Sequence, residues 1–113
     1  MGAPVGSPVY QQLCGSLKGC SISSAKELRV LMIEVAIQNK FTVVAEAFHQ
    51  FQPQGATGAL VLAESHFTMH TYPELDLIYV DVFCCSNAFD PHKCAETLES
   101  IFKGKGEWQF LTR

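Results

Sequence analysis

The sequence predicts an α+β fold, a two-layer sandwich with an antiparallel β-sheet covered on one face by two helices. Two segments repeat apolar residues at helical spacing behind a capping residue, at Ser24 and at Asp90. Around and between them run stretches rich in β-branched and aromatic residues, joined in the middle of the chain by hairpin-length links. The order strand, helix, strand, strand, strand, helix, strand then favours neighbouring strands that pair antiparallel, with both helices on one side.

Residues 1–8 alternate Gly, Pro and Ser and read as a loose arm. Val9 to Leu17 reads as the first strand, although Gly15, Gln11 and Gln12 weaken the pattern. Ser24-Ala25-Lys26-Glu27 has the spacing of a capping box, in which the Ser hydroxyl accepts from the Glu27 amide. Leu28, Leu31, Met32, Val35 and Ala36 form the apolar stripe of the helix that follows, to about Asn39. That stripe is core. Phe41 to Phe48 reads as a strand, Pro53-Gln54-Gly55 as a turn, and Gly58 to Ala63 as the opening of the next strand. This hairpin lays residues 49–57 beside the segment that holds Ser65. Ile78 to Cys85 is crowded with Ile, Tyr, Val and Phe and reads as a strand buried on both faces. Asp90-Pro91 opens the second helix, with Ala95, Leu98, Ile101 and Phe102 as its inner stripe. Gly104 and Gly106 end that helix, and Glu107 to Leu111 is the last strand.

At 113 residues, with 48% hydrophobic and 17% charged residues, the chain is one domain (1–113) with a modest core. Such apolarity is compatible with a further face buried in an oligomer. A net charge of −3 argues against a nucleic-acid surface. Cys14, Cys20, Cys84, Cys85 and Cys94 are odd in number and lack metal-finger spacing, so reduced thiols in the cytoplasm and no metal are expected. No signal peptide or membrane-spanning run is apparent, and Gly6 stands where an acylation signal requires Ser or Thr.

The chemically dense segment is Glu64-Ser65-His66-Phe67-Thr68-Met69-His70-Thr71-Tyr72-Pro73-Glu74, followed by Asp81-Val82-Phe83-Cys84-Cys85. So many polar groups in an apolar neighbourhood are costly unless they are used. His66 and His70, four apart on a strand, have no third ligand and make a poor metal pair. His66 reads as structural, and His49 and His92 as surface or capping residues. Phe51 is as well explained by the core as by a ligand wall.

Taken together, these residues resemble the self-cleavage region of the prokaryotic S-adenosylmethionine decarboxylase proenzymes, which reads roughly ESH-x-x-x-HT-x-PE and then D-x-F-x-C. The resemblance covers about Phe41 to Cys85, with weaker similarity outward. It implies that the chain cuts itself between Glu64 and Ser65, giving 1–64 and 65–113. The Ser65 hydroxyl would attack the Glu64 carbonyl, and β-elimination would leave a pyruvoyl group at residue 65 as the covalent cofactor. His70 would move protons during processing and catalysis, with Thr57 matching a family hydroxyl. The pyruvoyl carbonyl would form a Schiff base with the substrate amine, and Cys85 would return the proton to carbon after decarboxylation. Phe51, Phe67, Tyr72 and Glu74 match positions near the ligand, and a homodimer of cleaved protomers with residues crossing the interface is implied.

This sequence departs from the family pattern at Tyr72, usually Trp, and at Leu75-Asp76-Leu77, usually carrying Tyr-Gly-Tyr. The same chemistry on arginine or ornithine, with Asp76 reading the distal cation, is therefore an alternative. An uncleaved relative acting as a regulatory or partner subunit is another. Strand parity adds two expectations. Cys85 shares a face with Asp81 and Phe83, which puts Cys84 under a helix. Ser65 and His70 fall on opposite faces unless the chain bends between them or Ser65 sits at the strand's end.

Overall fold

The computed structural model describes residues 10–85 and 88–113. The expected arm, residues 1–8, and the expected strand start at Val9 lie outside them. The elements run β1 (Gln11–Lys18), α1 (Ala25–Gln38), β2 (Val43–Gln50), β3 (Ala56–Leu62), β4 (Ser65–Tyr72), a 3₁₀ turn (Pro73–Leu75), β5 (Leu77–Cys84), α2 (Pro91–Phe102) and β6 (Lys105–Thr112). All strands join one antiparallel sheet in the order β2-β3-β4-β5-β1-β6.

Alternation of side chains gives this sheet one covered face. On β4, Phe67, Met69 and Thr71 point under the helices, while His66, Thr68, His70 and Tyr72 point away. Burying a side chain such as Phe67 or Met69 is worth about 2 kcal/mol. A slip of one residue would turn both out and so fixes the register. Leu28, Met32 and Val35 of α1 and Cys94 and Leu98 of α2 close the core from above.

Both helices start as their caps predict. The Ser24 Oγ accepts from the Glu27 amide at 3.1 Å, and Asp90 accepts from the amides of His92 and Lys93. Lys103, with φ 57°, rather than a glycine, turns the chain out of α2.

Two expectations are corrected. The stretch from Gly58 onward is a hairpin of two strands, so the sheet has six strands where five were expected. Its turn, Ala63-Glu64, carries no Gly, Pro or Asn, and Glu64 takes a left-handed backbone with φ 60°. β5 is buried on one face only: Ile78, Val80, Val82 and Cys84 are covered, while Tyr79 is 50% exposed and Asp81 and Phe83 are half-buried. The cause is the single helical layer, which leaves the other side of an antiparallel sheet open.

Candidate active site

Where the sheet is read as a plane, the expected site residues gather at its two opposite ends. At one end the β3–β4 turn presents Glu64, fully outside the core, and Ser65 as the first residue of β4. A serine at the very start of the strand is one of the two conditions set by parity. Its Oγ accepts from the backbone N–H of Cys85 at 3.3 Å, which ties the turn to the end of β5. Ser65 also lines a cavity of about 410 Å³ under the helices, with Phe41, Leu62, Cys84 and Phe89 among its walls.

Cys84 is buried beneath α2 beside Cys94, as parity required, and Cys85 is half-buried just past the strand. Burial pushes the Cys94 thiol up to about 12, with the neighbouring Cys84 and Asp90 adding to it, so Cys94 stays protonated. It is chemically inert core. Cys85 instead lies just past the end of β5, two residues after Phe83, on whose ring Tyr10 stacks with centroids 4.3 Å apart.

The other end holds a second group. Thr57 and His70 stand opposite each other on β3 and β4, with the hydroxyl 2.9 Å from Nδ1 of the ring. Tyr72 meets Tyr79 edge to face at 5.8 Å, and Phe51 meets His49 in the same manner at 4.7 Å. Phe51 and Tyr72 are 47% and 41% exposed, so both rings offer surface to a ligand. Glu74 and Asp76 are exposed in and after the 3₁₀ turn. Phe67 is completely buried below the sheet and edge-on to Phe41, and so presents no surface to a ligand.

Ser65 and His70 do not meet within one chain. Five residues at a strand rise of about 3.3 Å put them about 17 Å apart. Between the two ends, on the open face, lies a hollow of about 620 Å³ lined by Cys14, Thr68, His70, Tyr79, Asp81 and Trp108. Among the described residues no three His, Cys, Asp or Glu side chains converge as a metal site would need.

The sequence reasoning missed a polar network on this face. His66 Nε2 lies 3.1 Å from Asp81, Gln12 donates to Asp81 at 2.8 Å, and Arg113 donates to Gln12 at 3.1 Å. His66 also stacks on Phe83 at 5.4 Å, and Arg113 lies over the same ring. His66, read from the sequence as structural or as a supporting hydrogen-bonding group, is joined to Asp81 and Phe83 on this face. Gln12, Tyr10 and Arg113 could not be found beforehand, because their partners are 30 or more residues away in the chain.

The chain is similar to known proteins in sequence and in fold. The sequence pattern of the S-adenosylmethionine decarboxylase family matches residues 11–110. Curated relatives named S-adenosylmethionine decarboxylase proenzyme include one from Clostridium botulinum (strain Hall), 52% identical over 63 residues, 54% of each chain. One from Symbiobacterium thermophilum is 40% identical over 84 residues, covering 74% of this chain and 64% of its own. One from Caldicellulosiruptor saccharolyticus is 34% identical over 96 residues, 82% of this chain and 77% of its own. The alignment spans about half the length of the first of these relatives. The crystal structure of the adenosylmethionine decarboxylase from Aquifex aeolicus superposes with a TM-score of 0.81 at 24% identity, covering 96% of this chain and 91% of that one. That likeness shows the same fold.

Proposed function

The chain belongs to the S-adenosylmethionine decarboxylase family, and from that premise we propose that it is a self-cleaving proenzyme whose processed form decarboxylates S-adenosylmethionine for polyamine synthesis. The observation that carries this reading is the β3–β4 turn. Its bond from Glu64 to Ser65 lies at an exposed hairpin tip, with Glu64 held at φ 60° and the Ser65 hydroxyl fixed by the Cys85 amide. A non-glycine residue in the left-handed region costs on the order of 1–3 kcal/mol, a cost that tends to collect at functional sites.

In the proposed processing, the Ser65 Oγ adds to the Glu64 carbonyl carbon and the amide nitrogen leaves, giving an ester. Loss of the Ser65 α-proton expels Glu64 as a carboxylate. Water then displaces the nitrogen as ammonia, and residue 65 becomes a pyruvoyl group. The residues present fit such a group: its precursor hydroxyl, an amide donor and a thiol meet at one strand end. When formed, it supplies a carbonyl that holds the substrate amine and takes up the electrons released with carbon dioxide. Cys85 then delivers a proton to the substrate carbon. Phe51 and Tyr72 offer faces for the purine, and Glu74 offers a carboxylate for the ribose hydroxyls.

The roughly 17 Å gap between Ser65 and His70 supports a homodimer in which each site is shared. Two copies related by a twofold axis, open sheet faces together, can set Thr57 and His70 of one chain against Ser65 and Cys85 of the other. The exposed Val61, Tyr72, Tyr79 and Leu111 suit that burial.

Intact-mass measurement of the purified chain tests the processing. The expected result is two fragments, the second starting at residue 65 and lighter by one ammonia than its serine form. Carbon dioxide release is then compared for S-adenosylmethionine, arginine and ornithine. One intact mass would leave a silent, regulatory relative. Release from either amino acid, with none from S-adenosylmethionine, would move the substrate to Asp76's distal-cation reading.

A further inference from the structure

The Ser65 Oγ does not stay with residue 65 in the proposed processing. It leaves with Glu64 as part of the new carboxylate. The 3.3 Å bond from the Cys85 amide, which ties the β3–β4 turn to the end of β5 in the uncut chain, is lost with it. The peptide bond to Glu64 is cut in the same event. Residue 65 then opens a free strand end, and such ends fray. Besides the ladder, His66 holds this end among the described residues. Its ring lies nearly flat on Phe83, its partner across β4 and β5, with centroids 5.4 Å apart and 15° between planes. Its Nε2 lies 3.1 Å from Asp81, two residues before Phe83 on the same face of β5. A carboxylate can only accept, so the ring donates.

We propose that His66 is a positioning residue for the processed site: fixed to Phe83 and Asp81, it keeps the cut end of β4, and so residue 65, in register beside Cys85. This rests on the reading of Ser65 as the pyruvoyl precursor and of Cys85 as the proton donor. His66 follows residue 65 directly, and Phe83 stands two residues before Cys85, so one ring contact indexes both reacting groups. A misplacement of the reacting atoms by about 1 Å is enough to slow such a step markedly.

The clamp is itself anchored. The other Asp81 oxygen accepts from Gln12 at 2.8 Å, and Gln12 accepts from Arg113 at 3.1 Å. Phe83 carries Tyr10 on the flank away from His66, at 4.3 Å between centroids, because β5 lies between β4 and β1. Gln12 and Tyr10 belong to the fragment 1–64, whereas His66, Asp81 and Phe83 belong to 65–113. The network therefore joins the two products of the proposed cleavage without using the bond that is cut. Thr68 and His70 share the open face of β4 but lie inside the strand, paired to β3 and β5 on either side, where an end does not fray.

The test places His66→Phe, which keeps a ring on Phe83 and removes the donor, in the processed chain and in Ser65→Ala, which cannot cleave. Hydrogen exchange is read by mass on the peptide that opens β4. In the cut chain the amides of Phe67 and Thr68 exchange about two- to tenfold faster than in the parent, the range that one net hydrogen bond carries. In the Ser65→Ala background they stay near the rate of that variant alone. Turnover, counted per reducible carbonyl from the mass gained on borohydride treatment, falls in kcat with KM retained. His66→Gln, which still offers an N–H to Asp81, recovers part of the loss. Asp81→Ala is the second variant, and combined with His66→Phe it loses no more than the worse single change. Equal acceleration of exchange in both backgrounds would make His66 ordinary strand packing and overturn the inference. Unchanged exchange after cleavage, or fully additive losses, would overturn it as well. A parent that never cleaves fails earlier, on intact mass, and removes the inference together with the reading beneath it. A parent that cleaves and turns over, with His66→Phe matching it, overturns the inference alone.

Discussion

The Thr57 hydroxyl sits 2.9 Å from Nδ1 of His70, directly across the β3–β4 ladder. This bond fixes the ring and leaves Nε2 free to face whatever covers the open side of the sheet. Nothing within the described chain brings Ser65 to it.

A shared site makes a sharp prediction for mixed chains. His70→Ala and Cys85→Ser expressed separately are each inactive. Expressed together, they recover about a quarter of the parental decarboxylation, because random pairing yields half mixed dimers with one sound site in two. Absence of any recovery would confine each site to one chain.

Cleavage at the hairpin tip is expected to leave the fold standing. β1, from fragment 1–64, lies between β5 and β6 of fragment 65–113, and β3 still pairs with β4. Denaturing electrophoresis should show two bands where native size-exclusion shows one species. Separation of the fragments without denaturant would contradict the ladder order.

The buried Cys94 thiol gives a pH signature. Its folded value, raised to about 12, exceeds the ordinary value of 9.0. The unfolded chain therefore ionises first, so this stability is fully present below pH 9 and is lost as pH rises from there towards 12. The slope is roughly 1 kcal/mol per pH unit. Urea unfolding at pH 8 and pH 10.5 should show a smaller loss for Cys94→Val than for the parent.

At Gly15 the backbone of β6 passes close against β1. A Cβ there would lie 2.0 Å from the Glu107 carbonyl oxygen, which belongs to backbone and cannot swing aside. Gly15→Ala should lower unfolding stability by about 1–3 kcal/mol or more, read as a fall in the urea midpoint. Parental stability would mean that the Glu107 backbone of β6 does not pass against Gly15.

Gly15 also illustrates how far the sequence could be read. As a letter it weakened the first strand, since glycine lowers strand propensity. In the fold it is what lets two strands approach. The same limit explains the missed turn at Ala63-Glu64: no residue type there favours a positive φ, and the hairpin is imposed by the pairing of Leu62 with Ser65. Tertiary pairing overrode local preference.

What the sequence determined by itself was whatever depends on near neighbours: both helix caps, the alternation that buries Cys84 and frees Cys85, and the run of residues that marks the family. Those rest on spacings of two to four residues, which geometry converts directly into faces and caps. Only the tertiary structure decided the rest. It put Ser65 and His70 at opposite ends of one sheet, made Phe67 core, and set Tyr10 against Phe83, because each of these depends on which distant strands lie side by side.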